Sequence, residues 1–274
     1  MSSTTPRKVE PHPYNGFQRE GQPKGAYSDI RNVQTYHATP NAHVPCVTGL
    51  SAGYQKTGLL LLPDWNGICH DSMMLADQFA QAGIITYICG YTGVADPPLS
   101  AQAERSLKPN NAQRSEVEAE KIIDDTIQDM IGAGPYSSGI RITRLVVAGY
   151  GTGAKHVLRL LAKPERKQCE VIAGFIASPE GEPNCTVEAY SGVKRPLSMT
   201  FADDPKTKTD AAERERIRDA MKTWTGPYQI NLYNHVRDGF AVRRHVASKP
   251  EVFAKRQAFV QALQWFNFYL FEDK

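Results

Sequence analysis

The stretch VVAGYGTGAKH, residues 146–156, runs from an apolar strand through three alternating glycines into a helix. A buried strand, a tight glycine turn and a helix N-terminus form the layout that mounts an attacking side chain as G-x-S-x-G or G-x-C-x-G. The central position here is Gly151, which has no side chain. The turn therefore predicts an open α/β sheet and leaves its purpose unexplained.

Working outward, the same rhythm repeats along the chain. TGLLLLPDWNG (57–67) is a short continuous apolar run stopped by Pro-Asp and glycine, as a parallel strand buried on both faces would be. HDSMMLADQFAQAG (70–83) groups Met73, Met74, Ala76, Phe79 and Ala80 at helical spacing and ends at Gly83. IITYICGY (84–91) is the next strand, and SEVEAEKIIDDTIQDMIGAG (115–134) is an amphipathic helix begun by Ser115. CEVIAGFIASP (169–179), RPLSMTFADD (195–204) and YQINLYNHV (228–236) read as strands. DAAERERIRDAMKTW (210–224) reads as a charged surface helix and PEVFAKRQAFVQALQWFNFYLF (250–271) as a long final one. VQTYHATP (33–40) alternates as a strand, Cys46 to Tyr54 as little more than an edge, and PLSAQAERSLKPNNAQ (98–113) as a polar loop. Strands alternating with helices predict right-handed βαβ units and a mostly parallel twisted sheet with helices on both faces. The Pro- and Gly-rich residues 1–25 are expected to form an irregular arm, and residues 26–274 a single domain.

Composition narrows the function classes. The chain has 274 residues, 41% hydrophobic and 22% charged, with a net charge of +3 spread in mixed signs. No basic patch argues for nucleic acid, and no apolar run nears the roughly 18 residues of a membrane span. The polar N-terminus lacks the apolar core of a secretory signal. Five cysteines at 46, 69, 89, 169 and 185 are odd in number and dispersed, which argues for reduced thiols in a cytoplasmic setting rather than disulfides or zinc. Histidines and acids never cluster at ligand spacing, so neither metal nor other cofactor is expected. GYGTGAK also lacks the glycine spacing and following acid of a dinucleotide fingerprint.

LLLPDWNG (60–67), LADQFAQAG (75–83), AGYGTGAKHV (148–157), PYQINLYNHVRDGFAVR (227–243) and QAFVQALQWF (257–266) occur in order. In these motifs the chain resembles fungal-type members of the dienelactone hydrolase family, within the α/β-hydrolase fold, from about Val33 to the C-terminus. The resemblance implies a Cys–Asp–His triad. The nucleophile's place falls on Gly151, the acid's on Asp204 (or Asp203, one residue away), and the histidine's on Asp238. Covalent hydrolysis needs an attacking atom and a base that relays its proton. Two of the three groups are absent, so the family's usual reaction is not expected.

What the turn keeps is its backbone. The Thr152 amide at the first turn of a helix, with a second from Trp65 in the DWNG loop beside Asn66, would form an oxyanion hole backed by the helix dipole. The bland reading is that Gly149, Gly151 and Gly153 only permit a sharp turn and close packing. Asp238 is expected beside Asp204, where two carboxylates would share a proton and act as acid and base. Its alternative is a pairing with Arg237, Arg243 or Arg244 in a decayed site. Tyr150 flanks the vacant position, Cys69 offers a thiol at the rim, and Trp65 and Phe240 offer aromatic walls. His235, three residues before Asp238, is read as an edge histidine rather than a relocated base. His156 is read as structural.

Three functions remain open. The favoured one is a non-hydrolytic lyase, isomerase or cyclase acting on a carbonyl-containing apolar small molecule, with a polyketide-type substrate suggested by the fungal resemblance. The second is a lactone or ester hydrolase using Cys69 or a carboxylate-activated water. The third is a silent ligand-binding protein. A small molecule is the expected partner, neither nucleic acid nor membrane is, and a homodimer is left open.

Overall fold

In the computed structural model, residues 22–30, 33–39, 57–92, 114–132, 141–166, 169–181, 185–204, 206–224, 226–243, 246 and 248–271 are described. The elements among them run β1 (Ala26–Ile30), β2 (Val33–Ala38), β3 (Thr57–Leu62), α1 (His70–Gln81), β4 (Ile85–Cys89) and α2 (Glu116–Met130). There follow β5 (Arg144–Tyr150), α3 (Gly153–Ala162), β6 (Glu165–Arg166), β7 (Cys169–Ala177), α4 (Val187–Ser191), β8 (Leu197–Asp203), α5 (Ala211–Met221), β9 (Tyr228–Asn234) and α6 (Lys249–Phe271). The strands form one sheet in the order β1-β2-β4-β3-β5-β7-β8-β9, with β6 beside β7. β4, β3, β5, β7, β8 and β9 are mutually parallel, and β1, β2 and β6 pair antiparallel.

The continuous apolar strands have the two-faced burial their sequence predicts. On β3, Leu59 and Leu61 face the core under α1 and α6, while Leu60 and Leu62 face the core under α2, α3 and α5. Each is fully buried, and each such leucine contributes roughly 2 kcal/mol of apolar transfer. Ser115 accepts from Glu118 N while the Glu118 carboxylate accepts from Ser115 N, a capping box that starts α2. Gly83 follows α1 with φ +99°, and its amide donates to Ala80 O.

The structure adds elements to the sequence reading, and part of that reading falls outside the described residues. β1, the two-residue β6 and the short α4 carry too little periodicity to be read from sequence, and the structure adds all three. Residues 98–113 and 46–54 lie outside the described residues, as does most of the expected arm. The end of that arm is nevertheless fastened to the body. The Lys24 amide donates to Asp77 (2.6 Å), the Gly25 amide to the Tyr36 hydroxyl (2.5 Å), and that hydroxyl to Asp77 (2.7 Å). Burial beside Asp77 holds the Tyr36 phenol well above its ordinary range, so it stays a donor.

His156 bears out its structural reading. It is 1% exposed, sits edge-on to Tyr91 with ring centroids 4.8 Å apart, and burial pushes its imidazole down to about 3. A histidine held neutral in the fold takes its proton only when unfolded. Its contribution is therefore intact above about pH 6.5 and is lost as pH falls from there toward 3. We expect His156 alone to cost roughly 2–3 kcal/mol at pH 4.5. Urea midpoints at pH 7 and 4.5 check this: His156→Phe keeps a ring against Tyr91 and should show a clearly smaller acid loss.

Candidate active site

The turn after β5 is built from close approach and one left-handed residue. Gly151 has φ +53°, its amide donates to Ala177 O on β7 (3.1 Å), and its carbonyl accepts from Ala154 N (3.2 Å). Glycine adopts this conformation freely, whereas other residues are strained there. Across the turn lies the loop after β3. Asp64 accepts from Asn66 N (2.9 Å) and Asn66 Nδ2 (3.2 Å), and Asp64 O accepts from Gly67 N (2.9 Å). These bonds leave two amides over. Among the described residues, neither the Thr152 nor the Trp65 amide is claimed by a backbone carbonyl.

The missing side chain at Gly151 does not leave open space on the side of the facing loop. A Cβ built on Gly151 would stand 3.0 Å from the Asp64 Cβ. The Cβ of Asp64, on the facing loop, thus lies beside the position where the resemblance places the nucleophile, while its carboxylate is held by Asn66. Burial raises the Asp64 carboxyl, hydrogen bonds from Asn66 lower it, Glu180 raises it and Arg243 lowers it. Burial dominates, and the net shift is upward.

Asp238 does not pair with Asp204. Its Oδ2 accepts from Lys208 N at 2.7 Å, and the charges that bear on it are those of Lys208, Arg243 and Glu180. Burial again dominates and raises its carboxyl. Asp204 has left the strand and turned into the following loop, where its Oδ1 accepts from Lys206 N (3.0 Å) and its carbonyl from Thr207 N (2.9 Å). Its charge bears on Arg237 instead. Asp203, the last residue of β8, is tied to Arg214 at 2.7 Å. The carboxylate neighbour of Asp238 is Glu180, in the loop after β7, which also forms an ion pair with Lys208. Lys208 thus holds Asp238 by its backbone and Glu180 by its side chain. Of the three arginines weighed for Asp238, Arg243 bears on it, Arg237 pairs with Glu251 on α6 (2.9 Å), and Arg244 lies outside the described residues.

The remaining candidates divide. Trp65 is 51% exposed at the rim of the loop, with Asn66 beneath it bound to Asp64. Tyr150 and Phe240 are buried in the α1/α6 core, Tyr150 near Phe175 (6.1 Å) and Phe240 edge-on to Tyr233 (5.6 Å), so neither walls the cleft. Strand alternation sends Tyr150 to the same face as Val146 and Ala148. Thr152 does not cap α3 through its side chain, which lies against the Tyr91 hydroxyl. Cys69 precedes α1, exchanges hydrogen bonds with Ser72, and has its thiol raised by burial and by the charges of Asp64 and Asp71. That environment deactivates a nucleophile. His235 is exposed at φ +58° with its amide on Asn234 Oδ1 and Asp203 O. Among the described residues, no group of three or more His, Cys, Asp or Glu is arranged to hold a metal ion, and no helix is long and apolar enough to cross a membrane.

Sequence reasoning missed Asp64, Glu180 and Lys208. The available signal was position: Pro63–Asp64 and Pro179–Glu180 each close a buried strand at its carboxyl end, where open α/β sheets bind ligands.

Known proteins of this shape agree with the motifs. The chain is 27% identical over 263 residues to hydrolase tropI of Talaromyces stipitatus, covering 94% of this chain and 96% of that protein. It is 25% identical to hydrolase pyvD of Aspergillus violaceofuscus, covering 93% and 94%. The fold superposes on the crystal structure of a putative dienelactone hydrolase from Klebsiella pneumoniae with a TM-score of 0.63 at 14% identity, covering 90% of this chain and 99% of that one. The dienelactone hydrolase family model matches residues 44–270, and the chain belongs to that family.

Proposed function

We propose that the protein is an enzyme of lyase, isomerase or cyclase type that acts on a carbonyl-containing apolar small molecule without a covalent acyl intermediate. A polyketide-type intermediate is the expected substrate class. The observation that carries this reading is the turn at Gly151: its left-handed backbone and spare amides are kept, while the Asp64 Cβ stands where it would crowd the Cβ of any attacking residue.

In this reading a substrate carbonyl oxygen accepts from the Thr152 and Trp65 amides, with the N-terminus of α3 behind them. A half-buried carboxylate, Asp238 or Asp64, removes a proton from the carbon beside that carbonyl. The resulting enolate oxygen is stabilised by about 3 kcal/mol per well-aimed donor. The carboxylic acid then returns the proton to another carbon, or protonates a β-leaving group as it departs. No bond to the protein forms at any stage. Upward-shifted carboxyls suit this work, because a base whose pKa approaches the working pH is still ionised and more strongly basic.

The relatives' names favour a second reading, in which the same carboxylates activate water against an ester or lactone. A panel of aryl esters and lactones, followed by acid release, separates the two. We expect no acid release above background from the wild type, and steady release would overturn the non-hydrolytic reading. Gly151→Cys should not create an esterase either. The new Cβ meets Asp64 at 3.0 Å, the left-handed backbone costs a non-glycine residue about 1–2 kcal/mol, and Asp238 occupies the histidine's place. An acyl-enzyme adduct on Gly151→Cys, detected by mass spectrometry, would show that the covalent machinery needs only its nucleophile.

A further inference from the structure

β5 and β7 end side by side: Tyr150 pairs with Ala177, and the Gly151 amide reaches back to Ala177 O. The next residues out of the sheet are therefore Gly151 on one strand and Ser178 on the other. Both are left-handed, Gly151 at φ +53° and Ser178 at φ +46°. For glycine this conformation is free. For serine it is strained, and more so because Pro179 follows and restricts the residue before it.

Ser178 carries a second unfavourable feature. It is 5% exposed, and among the described residues its Oγ finds no hydrogen-bond partner. The backbone around it is firmly held: Ser178 N donates to Thr200 O (2.9 Å), Pro179 O accepts from Thr209 Oγ1 (2.7 Å), and Glu180 is paired with Lys208. Glycine at this position would remove both costs at once. Strained, buried and unpaired polar groups concentrate where a ligand completes them.

We infer that Ser178 is a substrate-contacting residue whose hydroxyl hydrogen-bonds an uncharged phenol or ketone oxygen seated over Gly151, beside the Thr152 and Trp65 amides. The contact is a hydrogen bond alone and moves no proton. The inference rests on the cleft being a small-molecule site, but not on which carboxylate acts there.

4-Nitrophenol, kept in its neutral form below its own pKa, is a suitable probe because its absorbance reports the environment of its oxygen. Binding titrations and urea midpoints are measured on the full-length wild type, Ser178→Ala and Ser178→Gly. Ser178→Ala should fold with unchanged or raised stability, since removing an unpartnered buried hydroxyl costs nothing, and Ser178→Gly should be more stable than the wild type. Both should bind 4-nitrophenol about five- to tenfold more weakly. Equal binding by the wild type and both variants overturns the inference and leaves the acid–base reading standing. A wild type that fails to bind the probe overturns the inference and counts against the small-molecule cleft as well. A purely structural serine would give the opposite pattern, lost stability with unchanged affinity.

Discussion

Gly153→Ala should leave little folded protein. A Cβ at this position would stand 2.1 Å from Leu62 O, 2.8 Å from Leu62 C and 2.9 Å from Pro63 O, all of them backbone atoms of the strand end that carries Asp64. A real carbon–oxygen contact needs roughly an ångström more, and neither side can give it: α3 is pinned against β5 and β7, and β3 lies between β4 and β5. Gly149 reinforces the constraint, since a Cβ there would meet Gly153 O and the Val157 side chain at 2.7 Å. We expect a loss of about 3 kcal/mol or more, a large share of the roughly 5–15 kcal/mol available to such a domain. Gly192→Ala is the control. Its added Cβ would find nothing nearer than 3.7 Å, its φ of −80° suits alanine, and its effect should stay within about 0.5 kcal/mol. Urea midpoints or soluble yield distinguish the two, and a Gly153→Ala protein as stable as the wild type would show that α3 can slide.

This pair also shows what could be read from the chain alone. Leu59–Leu62 and Val146–Ala148 declare buried parallel strands, because an uninterrupted apolar run bounded by glycine or proline has few other stable uses. The turn itself was legible, and so was the vacancy at Gly151. The carboxylate arrangement was not. Asp203 and Asp204 are adjacent and chemically identical, and only the exit of the chain from β8 decides that one meets Arg214 while the other turns to Lys206 N. Glu180 and Lys208 meet Asp238 from separate loops, a convergence that no local periodicity encodes. Tyr150 shows the reverse error. Sequence proximity to the turn suggested the cleft, while strand alternation sends the ring into the core.

The largest functional effect is expected from Asp238→Asn, with Asp64→Asn as its companion. In the first variant the new amide oxygen can still accept from Lys208 N, and in the second from Asn66 N, so each replacement removes an ionisation while retaining one backbone contact. Stability should not suffer at neutral pH. A carboxyl raised by burial favours the fold below its unfolded pKa, and that contribution is lost as pH rises through the raised folded value. The wild type therefore already bears the cost of ionisation at pH 7, and asparagine does not. Activity should behave differently. Exchange of the α-protons of 2-tetralone in D₂O, followed by NMR, requires the ketone activation and proton removal that the proposal assigns to this cleft. If one carboxylate is the base, its asparagine variant should lose about 10²–10⁴-fold in exchange rate. In the wild type, the rate should fall on the acid side with a limb displaced above the ordinary carboxylate range near 4, because the base must be ionised and burial holds its proton. Should both single variants lose rate, the double variant tells whether Asp64 and Asp238 act in one proton transfer or in two: shared work gives losses that do not add. Undiminished exchange in the double variant would remove both carboxylates from the chemistry and leave the amides of Thr152 and Trp65 as a binding nest without a base.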